Sequence, residues 1–471
     1  SVKQTEQGAY LTIDPERTRL IMSSVETEIA KLEDKHYLIL ISTHHIICDG
    51  TSFNILIDEF CKLYNNKNLN ELSLTYKDYA VFEKNDNTIL ESQKYWINKF
   101  QNNIPTLNLP TTYSRPAIFT YEGNKLSTSI NTDLSDKIIC YCKENSITPF
   151  MFMISCYYIL LYKYSNNTDI LIGTPVANRN ISDISNIVGM FVNTLVLETK
   201  IDENISFKEF CNIVKSNSLE AFKYENYPFN ELVKSLNVKR DLSRNLIFDT
   251  LFTFQNNGLP KLDFGTNSEI FIPDTKTSKF DLSLEVVPNN SSIELNFEYC
   301  TSLFSKEFIS NFAKHYTEII KNTIKSPETL IKDIVMLSKK EFSDLIFGFN
   351  QTTVNYPSSK VVSQLFEEQV EKNPDKIATI FENTTLTYKE LNEKANNLAY
   401  YLISQNIKNN DIVGILLNRS IEVFICMMGI LKSGAAYVPI DPTYPEHRVK
   451  YILDNSNMKI VLSEPEVQNK F

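Results

Sequence analysis

The sequence predicts an α/β fold, and three observations carry that prediction. Short, nearly continuous apolar runs, such as HYLILIST over 36–43 and the later GMFVNTLVLET, read as strands. Between such runs lie stretches with apolar residues at helical spacing, the first being Phe53, Leu56, Ile57, Phe60, Leu63 and Tyr64. Helix starts are also marked, most clearly where Thr148 precedes Pro149 and offers a side-chain cap ahead of a first-turn proline. Helices that alternate with strands define the α/β class.

The elements follow in order. The run 36–43 suits a central strand buried on both faces. The turn HHIICDGT comes next, and Ser52 is expected to cap the helix behind it. The segment from His44 to Gly50 therefore joins a rigid strand to a helix N-terminus, a favourable place for chemistry. YKDYAVFEKN and SQKYWINKF read as further helices. Pro105, Pro110 and Pro116 then disfavour helix and set a lobe boundary near residue 112. A strand over 124–130, the helix from Pro149 and a strand over 170–173 follow, the last entering the turn TPVANRN. NYPFNELVKSL reads as a turn and helix; LIFDTLFTFQN, DLSLEVVPN and IELNFEYC read as strands. Residues 307–325 form a helix containing His315. Clusters of Ser, Pro, Asn and Thr after it mark a linker, and a new globular pattern starts at Val361. The chain is thus expected to divide into 1–111, 112–335, a linker over 336–357, and 358–471.

Composition narrows the function. The 471 residues suffice for about three domain-sized units. A formal net charge of −10, with no basic block, makes the chain a poor candidate for general nucleic-acid binding. No apolar run is long enough to span a bilayer. The eight cysteines are scattered, and the close pair Cys140 and Cys142 matches no zinc or redox spacing. They read as reduced thiols in a cytoplasmic protein. The chain begins with Ser1, carries no signal-peptide pattern, and reads as cut at both ends.

HHIICDG (His44 to Gly50) resembles the His-His-x-x-x-Asp-Gly motif of condensation domains in nonribosomal peptide synthetases. YKDYAVFE (Tyr76 to Glu83), IGTPVANRN (Ile172 to Asn180), VGMFVNT (Val188 to Thr194), NYPFNEL (Asn226 to Leu232) and RDLSRNLIFDTLFTFQN (Arg240 to Asn256) resemble that family's later motifs, in the same order. LTYKEL (Leu386 to Leu391) and LKSGAAYVPIDPTYPEHRVKYILD (Leu431 to Asp454) resemble the first two core motifs of an adenylation domain. The resemblance implies two chloramphenicol-acetyltransferase-like lobes followed by the N-terminal part of an adenylate-forming α/β domain. Only 43 residues precede the His pair, so the first lobe is expected to be truncated. Leu246 stands where the family usually has proline, which affects a turn.

The implied reaction joins two thioester-bound substrates. The acceptor's amine attacks the donor's thioester carbonyl, so proton transfer and oxyanion stabilisation are the tasks available. By resemblance His45 acts at the reacting centre, as a positioning group or a general base. His44 orients the loop. Asp49 forms an internal ion pair with Arg179, and the Gly50 N–H faces the intermediate. Asn193, Gln255 and Asn256 are secondary candidates for lining the channel. No metal is expected, because adjacent His residues on an extended segment point to opposite faces. No cofactor is bound directly. Phosphopantetheine arms on donor and acceptor carrier domains bring the substrates, and the rest of the adenylation domain is a further partner; no nucleic acid or membrane partner is expected. His36, His315 and His447 lack motif partners. Epimerisation by a relative sharing the same core, and a non-catalytic recruitment module of the same fold, remain the alternatives.

Overall fold

In the computed structural model, which describes residues 2–5, 8–11, 26–33, 36–86, 88–101, 104–255, 262–264, 268, 270, 275–289 and 292–468, the chain forms two compact units. They are Ser1–Gly348 and Phe349–Phe471.

The first unit opens with an antiparallel sheet in sequential order: β1 (Val2–Thr5), β2 (Gly8–Leu11), β3 (Glu26–Glu33) and β4 (His36–Ser42). The run HYLILIST supplies β4, which among the described residues stands at the edge of its sheet, paired with β3, not as a central strand. Leu38, Ile39 and Leu40 are 46%, 38% and 47% exposed, so burial on both faces is corrected. An apolar run specifies a strand; it does not specify how many layers cover the sheet.

The turn after β4 leads into α1 (Gly50–Tyr64). Its N-cap is Asp49, not Ser52: the Ser52 N–H donates to Asp49 Oδ1 at 2.7 Å. Both residue types cap well, and Asp49 prevails because it holds the extended conformation (φ −94°, ψ 178°) that precedes a helix. Two helices follow, α2 (Tyr76–Asn85) and α3 (Thr88–Phe100). Thr75 and Asp78 form a reciprocal capping box on α2. α3 buries Trp96 and Phe100 in the main core, and Trp96 Nε1 donates to the Tyr224 carbonyl at 2.9 Å. By packing, α3 already belongs with the chain that follows it, ahead of the boundary near 112 that the prolines suggested.

That core is built on a second sheet, β5 (Gly123–Ile130), β6 (Asp169–Val176), β7 (Asn193–Lys200), β8 (Thr250–Phe254), β9 (Leu282–Pro288) and β10 (Ile293–Cys300). The spatial order is β5-β10-β9-β8-β6-β7, with β6, β8 and β9 mutually parallel and the other pairs antiparallel. The parallel pairing places the C-terminal ends of β6 and β8 at one end of the sheet. Helices α4 (Thr132–Glu144), α5 (Pro149–Ser165), α6 (Phe207–Lys223), α7 (Phe229–Leu236) and α8 (Lys306–Lys325) complete the layer architecture. Every residue of α5 from Met151 to Tyr162 is buried, as an all-round apolar helix requires. Its tyrosines find partners inside: Tyr157 OH lies 2.6 Å from Thr250 Oγ1, and Tyr158 OH donates to the Leu197 carbonyl at 2.9 Å.

The short helix α9 (Lys339–Ser343) is tied back to this unit. Glu341 uses one carboxylate twice. Oε2 accepts from the Ser338 N–H at 2.9 Å, and Oε1 lies 3.2 Å from His315 Nε2. His315 Nδ1 in turn meets Tyr164 OH at 2.7 Å. Residues 336–348, read from composition as the start of the linker, therefore pack on the first unit, and the break falls after Gly348. Glu341→Ala is expected to cost about 1–2 kcal/mol, a lost cap plus a lost tertiary hydrogen bond. The lone tryptophan, Trp96, sits in this core and reports the unfolding of this unit in urea. A shift below about 0.5 kcal/mol would remove the anchoring role.

In the second unit, α10 (Val362–Lys372) precedes the hairpin β11 (Ile377–Phe381) and β12 (Thr384–Thr387). Next come α11 (Tyr388–Ser404), β13 (Ile412–Leu416), α12 (Ile421–Lys432), β14 (Ala436–Ile440), α13 (Glu446–Asn455), β15 (Ile460–Ser463) and α14 (Pro465–Gln468). The three strands form a parallel sheet, β14-β13-β15. Gly434, at φ +80°, makes the turn from α12 into β14 that the LKSGAAYVP stretch encodes. Among the described residues no single helix is long and apolar enough to cross a membrane.

Candidate active site

The site begins where β4 runs out. The Ile47 N–H donates to the His44 carbonyl at 3.1 Å and closes a turn. His44 Nδ1 accepts from the Ile46 N–H at 3.1 Å, so this ring serves the turn. His45 Nδ1 lies 2.9 Å from the Cys48 carbonyl. A carbonyl can only accept, so Nδ1 carries the hydrogen; in the neutral ring Nε2 then keeps its lone pair. His45 is exposed, whereas Cys48 and Asp49 beside it are buried. Burial pushes the Cys48 thiol up, away from the thiolate.

Asp49 is held by three donors. Its carboxylate accepts from the Ser52 N–H (2.7 Å), the Phe191 N–H (3.1 Å) and Arg179 Nη2, which lies 3.1 Å from Oδ1 and 3.3 Å from Oδ2. Burial alone raises a carboxyl pKa; here the Ser52 and Phe191 donors and the Arg179 charge outweigh it and hold Asp49 below its ordinary value. Arg179 is fixed as firmly. Nη1 donates to the carbonyls of Ile184 (2.9 Å) and Ile187 (2.7 Å), and the guanidinium lies 4.0 Å from the Phe191 ring centre.

The loop that carries Phe191 is pressed against α1 and α2. Ser52 Oγ accepts from the Gly189 N–H (3.0 Å) and from Arg179 Nη2 (2.8 Å), and donates to the Gly189 carbonyl (2.8 Å). Tyr76 OH donates to the Met190 carbonyl at 2.8 Å. A Cβ at Gly189 would stand 2.1 Å from the Tyr76 ring, so this close approach requires glycine. Segments from HHIICDG, YKDYAVFE, IGTPVANRN and VGMFVNT thus converge on one point. From the sequence, Ser52 was expected only as a helix cap, and Tyr76 and Gly189 had no role of their own. Their only signal was membership or adjacency to a motif.

The remaining candidates separate. Gly50 is the first residue of α1, and a Cβ there would meet nothing within 4 Å. The glycine therefore relieves no protein contact; it leaves open space above a first-turn N–H for which the helix has no carbonyl. Asn193 is committed elsewhere. Nδ2 donates to the carbonyls of Glu225 and Tyr227, each at 2.8 Å, while Oδ1 accepts from the N–H groups of Thr194 (2.9 Å) and Phe229 (3.0 Å). That exhausts the amide's two donors and two acceptor sites, so its polar atoms are spent on the backbone. It also caps α7, whose N-cap, Pro228, makes no side-chain cap bond. Asn193→Ala is expected to cost about 2 kcal/mol by leaving part-buried backbone groups unpaired, read by urea denaturation at Trp96. Unchanged stability would count against this clamp. Gln255 donates to Glu285 Oε1 at 3.0 Å on β9. Asn256 lies outside the described residues. Among the described residues no group of three or more His, Cys, Asp or Glu could hold a metal.

A loop ending in a buried aspartate at a helix start, braced by an arginine from beyond a central strand of a six-stranded mixed sheet, defines a class. Residues 23–346 match the condensation-domain model, and residues 366–470 match the model described as AMP-binding enzyme. The chain belongs to the condensation-domain family and continues into the start of an AMP-binding domain. It is 39% identical over 450 residues to bacitracin synthase 3 of Bacillus licheniformis, covering 94% of this chain and 7% of that protein. It is also 39% identical over 440 residues to gramicidin S synthase 2 of Aneurinibacillus migulanus, covering 93% and 10%. The chain therefore spans about a tenth or less of the length of these relatives. Among solved structures, a four-domain nonribosomal peptide synthetase in its holo form with AMP and glycine matches 94% of this chain and 35% of its own, at a TM-score of 0.80 and 24% identity. The X-domain from teicoplanin biosynthesis matches 66% of this chain and 74% of its own, at 0.58 and 18%. These likenesses establish the fold, the chloramphenicol-acetyltransferase-like condensation architecture.

Proposed function

We propose that the synthetase containing this chain uses its condensation domain to form an amide bond between two carrier-bound substrates. The observation that supports this most is the geometry of the HHIICDG loop. His45 Nδ1 is tied to the Cys48 carbonyl, and the ring stands on an exposed turn next to a helix N-terminus. Nε2 is left to meet the acceptor amine, as a hydrogen-bond acceptor that aims it or as the base that takes its proton. The amine nitrogen bonds to the donor's thioester carbon, and the carbonyl oxygen becomes an oxyanion within reach of the Gly50 N–H. Collapse re-forms the carbonyl and breaks the C–S bond. The amine's proton ends on the departing thiolate, leaving a free phosphopantetheine thiol on the donor carrier and the amide on the acceptor carrier. The Asp49–Arg179 pair holds the loop and takes no proton. The reaction belongs in the cytoplasm, in the assembly of a secondary-metabolite peptide such as an antibiotic.

The test is reconstitution of the full-length module with a loaded donor and a loaded acceptor carrier. The expected result is a new amide on the acceptor carrier with one free thiol on the donor. Inversion at the α-carbon without transfer would replace the reading with epimerisation. Neither change, with both carriers verifiably loaded, would replace it with a recruitment module.

A further inference from the structure

Ser52 has no part in the reaction just described, yet its hydroxyl is the most fully used polar group at the site. It is wholly buried, and its one donor and two acceptor positions are all filled, by the Gly189 carbonyl, the Gly189 N–H and Arg179 Nη2. We infer that Ser52 is a positioning residue for His45, an inference that rests on the amide-forming reading of the site.

The argument starts from a weakness in the Asp49–Arg179 pair. Both carboxylate contacts use the same nitrogen, Nη2, at 3.1 and 3.3 Å. A fork-to-fork pair would use two nitrogens and fix the carboxylate's rotation; this one leaves a pivot. The shortest bond of Nη2 goes instead to Ser52 Oγ, at 2.8 Å. The hydroxyl centres the guanidinium. Through the Ser52 N–H, at 2.7 Å from Oδ1, the same residue sets the carboxylate against the first turn of α1. It also grips both polar groups of Gly189, two residues before the Phe191 N–H that completes the Asp49 shell at 3.1 Å.

Asp49 is joined directly to Cys48, whose carbonyl holds His45 Nδ1 at 2.9 Å. The line of contact runs from Gly189 and Arg179 through Ser52 and Asp49 to the imidazole. Without the hydroxyl the pivot is free, the start of α1 shifts, and the Cys48 carbonyl no longer fixes one tautomer and one ring orientation. Because near-attack geometry tolerates little displacement, such a change acts on turnover more than on carrier binding.

The experiment has two arms. In the full-length module, Ser52→Ala should lower kcat for amide formation about tenfold while KM for each loaded carrier stays within about twofold. Ser52→Thr, which restores the hydroxyl, should recover most of the rate. In the histidine-¹⁵N-labelled 471-residue chain, the His45 ring, assigned by its loss in His45→Gln, should show a protonated Nδ1 in the native protein. In Ser52→Ala it should show an average of two tautomers. An unchanged kcat would overturn the inference. So would a rate loss matching the folded fraction lost at Trp96, with the His45 tautomer unaltered. A native module that forms no amide overturns the amide-forming reading instead, and a His45 signal that still changes in Ser52→Ala identifies that case.

Discussion

Arg179→Ala will destabilise the first unit by about 3–5 kcal/mol, because it strands a buried carboxylate without its counter-charge. The side chains of Arg179 and Asp49 are 6% and 3% exposed, so water cannot replace the lost partner. The substitution also releases the carbonyls of Ile184 and Ile187, the Ser52 hydroxyl and the Phe191 ring face. Arg179→Lys should recover little. An ammonium is a point charge and cannot span two carbonyls, a carboxylate and a hydroxyl in one plane. Urea denaturation followed at Trp96 measures the effect, and a loss below about 1 kcal/mol would mean the pair is dispensable. The pH dependence has a definite sign. Asp49 is held below its ordinary pKa, so its contribution is complete above the unfolded value of about 3.9 and is lost as pH falls through the depressed folded value. The stability gap between the native protein and Asp49→Asn should therefore be widest above about pH 4 and should narrow in stronger acid.

Asp49 and Arg179 stand 130 residues apart, and their pairing was legible only as what the family resemblance of their two motifs implies. The surroundings of the pair were less so. Ser52 read as a helix cap because serine three residues behind an aspartate fits either position; backbone conformation decides which residue caps, and it assigned Asp49. That assignment freed the Ser52 hydroxyl for contacts 127 and 137 residues away, which no local pattern encodes. The commitments of Asn193 were hidden for a related reason. Its motif marked it as a polar residue near the reacting groups, but the backbone of 225–229 passes beside it and consumes the amide. Composition gave 336–348 the look of a linker because the sequence cannot show Glu341 meeting His315. Strand and helix identities, set by periodicity and caps, were readable through most of both units. Layering, edges and the commitments of individual amides depend on pairing over long separations and were not.

The larger kinetic prediction concerns His45. His45→Ala in the full-length module should cut amide formation by about 10²–10⁴-fold, the range expected when a positioned acid–base group is removed. Stability should move by no more than about 0.5 kcal/mol, since the residue is exposed and its described hydrogen bond, to the Cys48 carbonyl, spans only three positions. Rate and stability thus separate at His45, whereas at Arg179 they fall together. The variant His45→Gln divides the two roles open to the ring. A glutamine amide can hold an amine by a hydrogen bond but cannot carry off a proton at neutral pH. If His45 is the base, Gln should be as poor as Ala; if it aims the amine, Gln should keep a measurable part of the rate. His44→Ala should be milder than either, because Nδ1 of that ring is spent on the Ile46 N–H and serves the turn alone. Amide formation near the native rate in His45→Ala, with both carriers loaded, would remove His45 from the reacting centre.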